Sequence, residues 1–244
     1  MCGLRRAAGG PGHIDDDHPA REGTVHFTNT SEAVREWVHG WALSRGAAEP
    51  DPSPWGFTVN IGLPGHVMSH VLPTADAATV REITGSATGP GVWLKAFVRA
   101  ESLASWIAPG WSLPGEPGYL MSTPLRPARA PAPLPPGYRL RTWTRDGVTH
   151  ARVSAADGTR AARGQTAVTG ATAVVDKVET HPAHRRRGLG RLIMHTLTDA
   201  AAEQGATVGL LASTAEGRAL YETTGWAVSA PLANALRGPD PVPR

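Results

Sequence analysis

Apolar positions recur along this chain at two spacings, and each predicts an element. Val34, Trp37, Val38, Trp41 and Ala42 fall three or four residues apart, which marks one face of a helix. Asn29 is placed to cap that helix, with Glu32 three residues on, and Gly46 to end it. Residues 47–56 are Pro-rich and read as a loop. Strands are expected at Phe57–Leu63, Val92–Val98 and Tyr119–Ser122, with helices at Ala75–Thr84 (Val80 and Ile83 inward) and Glu101–Ile107. The later part is more regular. Tyr138–Thr144 alternates as a strand. Thr149–Ala155 and Ala161–Val168 flank Asp157-Gly158, a hairpin signal, and Thr169-Gly170 turns the chain into the β-branched strand Ala171–Thr180. A helix opening at Gly188 buries Leu189, Leu192, Ile193, Leu197 and Ala200 and stops at Gly205. The strand Ala206–Thr214, the helix Ala215–Thr224 closed by Gly225, and the strand Trp226–Ser229 complete the pattern.

Residues 1–28 lack any periodicity and read as a flexible tail. Residues 124–137 hold six prolines in fourteen positions, which forbids a helix or an inner strand and predicts a linker. The expected organisation is a tail (1–28), an α/β half (29–123), the linker (124–137) and a second domain (138–244).

Composition sharpens this reading. With 41% hydrophobic and 18% charged residues the chain is not of the disordered class. No apolar run is long enough to span a membrane, and the N-terminus lacks the apolar core of a signal peptide. Cys2 is the single cysteine, which excludes an intramolecular disulfide and fits a cytoplasmic protein. The formal charge of +3 is too mild for a general nucleic-acid binder. Eight tryptophans stand against three Tyr and three Phe, six of them in the first half, where most serve a core and one or two are candidates to line an acceptor pocket.

The chemistry concentrates in VVDKVETHPAHRRRGLGRLIMHTL. A strand runs through a short connection into Arg185-x-x-Gly188-x-Gly190 at a helix start. The first turn of a helix has N–H groups without intrahelical partners and a partial positive charge, and glycines let a bulky anion approach that backbone. The pattern predicts a pyrophosphate cradle, ringed by Arg185, Arg186, Arg187 and Arg191. A dinucleotide fingerprint needs a third glycine that is missing, and a P-loop needs a Gly-Lys pair that is missing. An arginine patch for RNA and a merely solvated basic helix start are the other readings. His181 and His184 have a spacing some metal sites use, but without a third ligand nearby they belong to the turn before the cradle. His13, Asp15, Asp16, Asp17 and His18 read as an acidic tail in preference to a loose metal site. No metal is expected.

The same stretch resembles the acetyl-CoA motif of the GNAT superfamily of N-acetyltransferases. The resemblance runs through Val174–Thr180, His181-Pro182 and Arg185–Arg191, then ATVGLLAST, then Ala219, Tyr221, Gly225 and Trp226, and so covers about residues 171–229. It implies an α/β fold with a mixed sheet, GNAT-like in the C-terminal half. The N-terminal half, with its strand–helix–strand order, is compatible with a degenerate GNAT-like copy, yet it lacks the R-x-x-G-x-G cradle, so a single acetyl-CoA site is expected.

The resemblance also implies roles. Acetyl-CoA is the co-substrate: its pantetheine arm lies along the backbone of Val178, Glu179 and Thr180, and its pyrophosphate on Arg185, Arg186, Arg187, Gly188, Leu189, Gly190 and Arg191. An amine attacks the thioester directly in a ternary complex, an N–H near Val178 meets the developing oxyanion, and Tyr221 protonates the leaving thiolate. Two carboxylates are candidates for the base. Asp176 shares a face with Thr180 in a regular strand, whereas Glu179 points to the other face unless a bulge re-aims it. Flanking Lys177, both also read as ordinary surface pairs. The acceptor expected is a small-molecule primary amine, with no nucleic-acid or membrane partner. A protein N-terminus or lysine, and a non-catalytic acyl-CoA sensor, are the alternatives. Two departures from the family concern the acceptor side: the helix pair usually found before the central hairpin is missing, which leaves the N-terminal half to supply that wall, and the chain end is short for a terminal hairpin.

Overall fold

The computed structural model describes residues 27, 29–128, 130 and 132–239; the tail expected over 1–28, with its His/Asp run, lies outside the described residues apart from Phe27. In chain order the elements are α1 (Thr30–Arg45), β1 (Asp51–Ser53), β2 (Gly56–Leu63), β3 (His66–Leu72), α2 (Ala77–Ser86), β4 (Val92–Ala96), α3 (Ala100–Trp106), β5 (Trp111–Ser112), β6 (Gly118–Pro124), β7 (Tyr138–Arg145), β8 (Val148–Ala155), β9 (Arg160–Thr169), β10 (Thr172–Thr180), α4 (Leu189–Glu203), β11 (Val208–Ser213), α5 (Ala215–Glu222) and β12 (Ala227–Arg237). Among the described residues these strands form one mixed sheet, in the order β1-β2-β3-β4-β12-β6-β11-β10-β9-β8-β7, with β5 against β12.

The periodic segments form where the pattern places them. Asn29 accepts the N–H of Glu32 at 2.9 Å, and Gly46 ends α1 in the left-handed region at φ 67°. The differences lie where periodicity is weak. The loop expected over 47–56 contains β1, paired with β2. His66–Leu72 and Trp111–Ser112 are strands that the sequence pattern did not mark. The final strand does not stop at Ser229 but runs on to Arg237.

Strand–helix–strand–helix–strand occurs twice, as β3-α2-β4-α3-β5/β6 and as β10-α4-β11-α5-β12. The first two strands of each set are parallel neighbours. The closing strands are exchanged: β6 lies between β11 and β12, while Ala233–Leu236 of β12 pair with β4 and Leu236–Arg237 with β5. The helices α4 and α5 cover one face of the second set through Leu192, Ile193, Leu197 and Tyr221 on Val175 and Leu211. α1 covers the other face, packing Trp37, Val38 and Trp41 over Val174, Leu210, Val59 and Val71 and so spanning both sets. Gly40 permits this contact, because a Cβ there would stand 2.5 Å from Val174 Cγ2. β7 leads through its hairpin directly into β8, with no helix between them.

Candidate active site

β10 and β11 pair only over Thr172–Val174 and Val208–Leu210. Beyond that their ends splay, and a cleft of about 1010 Å³ opens there, lined by Val178, Glu179 and Thr180 on one side and by Ala212, Ser213 and Thr214 on the other. The start of α4 forms its floor, with Arg185, Arg186, Gly188, Leu189, Gly190 and Arg191, and Tyr221 of α5 reaches it as well.

The cradle is built as its sequence requires. Gly188, the N-cap of α4, is left-handed at φ 76° and has no side chain to take the first-turn N–H groups. Those donors and the helix dipole face the cleft. A Cβ on Gly190 would stand 2.8 Å from Leu220 Cδ2. Arg186 is itself left-handed at φ 61°. The counterpart helix α2 starts quite differently: Asp76 accepts the N–H groups of Ala78 and Thr79 at 2.9 and 3.0 Å, so a carboxylate fills the place an anion would take. The arginines divide. Arg185 donates to Glu216 at 3.2 Å, whereas Arg187 is turned to the Tyr138 hydroxyl at 3.0 Å and does not line the cleft. Arg160 and Arg163 of β9 do line it. They were invisible to the sequence reading because only strand pairing brings them there.

β10 carries a bulge. Asp176 lies opposite Gln165 and Glu179 opposite Arg163, so two residues face one, and Lys177 is left-handed at φ 52°. The bulge inverts the parity expected for a regular strand. Asp176 and Glu179 come to one face, and Thr180, opposite Ala162, goes to the other, toward Gly190. The expectation that Asp176 and Thr180 share a face is thereby corrected.

Both carboxylates are engaged. Asp176 accepts from Ser44 Oγ and from Arg45 Nη2, each at 2.9 Å, at the end of α1, and Gln165 Nε2 donates to the Ser44 carbonyl. Glu179 takes both oxygens to Arg163, at 2.7 and 2.8 Å, and that guanidinium holds its carboxyl below the usual range. Asp176 is 14% exposed in its side chain, against 55% for Glu179. Removing a partner from the inner pair leaves a poorly hydrated charge, so Asp176→Ala should cost about 1–3 kcal/mol in urea unfolding. Glu179→Ala should cost about 0–1 kcal/mol. Equal costs would show that the inner pair is as solvated as the outer.

Tyr221 is buried at 8% exposure, and no described residue hydrogen-bonds its hydroxyl. Burial, and secondly the charge of Asp176, push it up to about 12. His184 Nδ1 pairs with the Tyr138 hydroxyl at 3.0 Å. Among the described residues no group of three potential ligands is placed to hold a metal, and no helix is long and apolar enough to cross a membrane.

Residues 149–228 match the profile of the Acetyltransferase (GNAT) domain. That segment, about a third of the chain, is similar to a GNAT acetyltransferase domain. Solved structures extend the likeness of fold beyond that segment. A GCN5-related N-acetyltransferase from Kribbella flavida aligns over 85% of this chain and 95% of its own, with 16% identity and a TM-score of 0.55. A Drosophila protein aligns over 76% and 75%, with 14% identity and a TM-score of 0.52. No curated protein sequence matches the chain. The matched segment holds the cradle, the bulged strand and Tyr221 together.

Proposed function

We propose that this protein is a cytoplasmic N-acetyltransferase that moves an acetyl group from acetyl-CoA to the primary amine of a small molecule. The observation that carries the reading is the uncapped glycine start of α4, opening into a cleft that Tyr221 also lines. Free first-turn N–H groups suit a pyrophosphate, and Arg160, Arg163, Arg185, Arg186 and Arg191 give the cleft an excess of cations over Glu179 and Glu216. The thioester supplies an activated acyl group. The transfer forms an N–C bond, breaks the C–S bond, and moves one proton from the amine to the sulfur.

The chain's own residues divide the work. The backbone of Val178, Glu179 and Thr180 flanks the donor's arm, and the bulge at Lys177 takes a peptide out of the ladder, which gives Val178 N–H the position to polarise the acyl carbonyl. Asp176 stands on the α1 face of β10, outside the cleft lining and two residues before Val178, and takes the amine's proton through water. Glu179 is the alternative base; it lines the cleft, and Arg163 holds both its oxygens as Ser44 and Arg45 hold those of Asp176. Tyr221 keeps its own proton across the physiological range and donates a hydrogen bond to the departing sulfur.

A screen of amines with acetyl-CoA, read by released thiol, tests the activity. Binding of acetyl-CoA in calorimetry with no thiol released from any amine would make the protein a sensor instead. Gly190→Val tests the cradle: its branched side chain meets Leu220 and intrudes where the pyrophosphate approaches, and acetyl-CoA affinity should fall at least about tenfold, or ~1.4 kcal/mol. An unchanged affinity with an intact fold would remove the anion from that helix end.

A further inference from the structure

A second polar cluster lies on the α1 face, where the two sets of strands meet. Its centre is Lys95, one of only two lysines in the chain. In β4 the buried Val92, Leu94 and Ala96 face α2 and α3, so Trp93 and Lys95 face the opposite way, toward α1. Lys95 Nζ donates to Asn234 Oδ1 of β12 at 3.0 Å and stands 5.2 Å from the ring centre of Trp41 and 5.8 Å from that of Trp93. His66 closes the group, its ring beside both indoles and its Nε2 paired with Ser69 Oγ at 2.8 Å.

Burial, and then the charges of Lys95 and Arg45, hold His66 down to about 4, so it is neutral near pH 7. Burial, and then Arg45, bring Lys95 down to about 8, and it keeps its proton at pH 7. Two nearby arginines are committed, Arg45 to Asp176 and Arg163 to Glu179. Lys95 has a neutral amide and two aromatic faces. An ammonium withdrawn from water costs free energy unless an anion balances it, and a methionine would fill the same space without that cost. Trp93, Lys95, His66 and Asn234 are only half-buried, so the cluster opens to solvent. Arg45, which pairs with Asp176 of β10, stands 5.8 Å from the ring centre of Trp41 as well, which places the cluster next to the strand that carries the bulge.

We infer that the acceptor amine also bears a carboxylate, seated on Lys95 between Trp41 and Trp93, so that the substrate class is an amino-carboxylic acid. The Lys95 ammonium, held by a neutral amide, matches one carboxylate, and the indole faces take the apolar stem. The inference rests on the acetyltransferase reading for its reaction but not for its binding site.

The test uses the full chain and two arms. In the first, each α-amino acid is paired with its primary amide as acceptor for acetyl-CoA. The best acid should exceed its amide in kcat/KM by roughly tenfold or more. Lys95→Met should lower the acid's kcat/KM, through KM, at least about tenfold more than the amide's, and Lys95→Arg should restore part of the loss. Calorimetric affinity for acetyl-CoA should not change, and the thermal midpoint of Lys95→Met should equal or exceed that of the wild type, which a purely structural lysine would not allow. The second arm measures binding of the same acids and amides by saturation-transfer NMR without acetyl-CoA. It decides the carboxylate seat even if no amine is acetylated. Amides bound and used as well as acids, or an equal loss of both in Lys95→Met, would overturn the inference.

Discussion

A chain shortened to residues 125–244 is expected not to fold, although it contains the whole matched GNAT segment. Two of its supports come from the part removed. β6 pairs with β11 from Tyr119–Ser213 to Pro124–Val208 and with β12 on its other side, so its loss leaves two bare strand edges. α1 covers Val174 and Leu210, both fully buried, and Leu232 lies in the same cluster. Exposing side chains of this kind costs about 1.5–3 kcal/mol each, and three of them approach the ~5–15 kcal/mol that holds a typical domain together. The Ser44 and Arg45 contacts to Asp176 go as well. The fragment should show no cooperative urea transition by circular dichroism and no binding of acetyl-CoA. A two-state transition with acetyl-CoA affinity retained would mean that the exchanged strand and α1 are accessories.

That exchange is the part of the fold a sequence reading does not reach. Helix faces and turn dipeptides are local, so α1, α4 and the hairpin at Asp157-Gly158 were legible; there Gly158 N–H donates to the Ala155 carbonyl at 3.0 Å. His66–Leu72 was not, because its burial alternates irregularly and three of its residues are His or Ser. The second half of β12 was hidden by Pro231, which reads as a strand breaker yet lies opposite Tyr119 beside a register shift. Nothing in the local pattern of Gly118–Pro124 tells that it inserts between strands more than 80 residues later in the chain.

The candidate site divides in the same way. The cradle is contiguous, so its glycines and arginines could be named from spacing. Asp176 could be named, but its partner Arg45 stands 131 residues away, and their meeting depends on α1 crossing the sheet. The bulge at Lys177 could be imagined but not located, and it decides which face Glu179 and Thr180 occupy. Lys95 gave no signal as a lone lysine in an apolar strand; the cost of burying it becomes visible only with Trp41 and Trp93 in place.

Tyr221→Phe is expected to lower kcat by about ten- to a thousandfold while leaving acetyl-CoA affinity nearly unchanged. The substitution keeps the ring against Trp226, at 6.4 Å between centres, and removes a hydroxyl that no described residue binds, so the thermal midpoint should hold. With the phenol pushed up to about 12 and a thiol near pKa 8.5, complete transfer of the tyrosine proton to the sulfur would be uphill by roughly 5 kcal/mol. The hydroxyl therefore serves as a fixed donor that stabilises charge on the sulfur as the C–S bond breaks, and the proton that balances the reaction comes from the amine. Two consequences follow from this division of labour. The rate loss in Tyr221→Phe should shrink for thioesters of more acidic thiols, which need less help to leave. The wild-type rate should also show no alkaline fall near pH 10 attributable to Tyr221, since a phenol at about 12 is still protonated there. A variant that turns over a validated amine at the wild-type rate, with chemistry shown to limit that rate, would reduce Tyr221 to a packing residue and leave water to meet the sulfur.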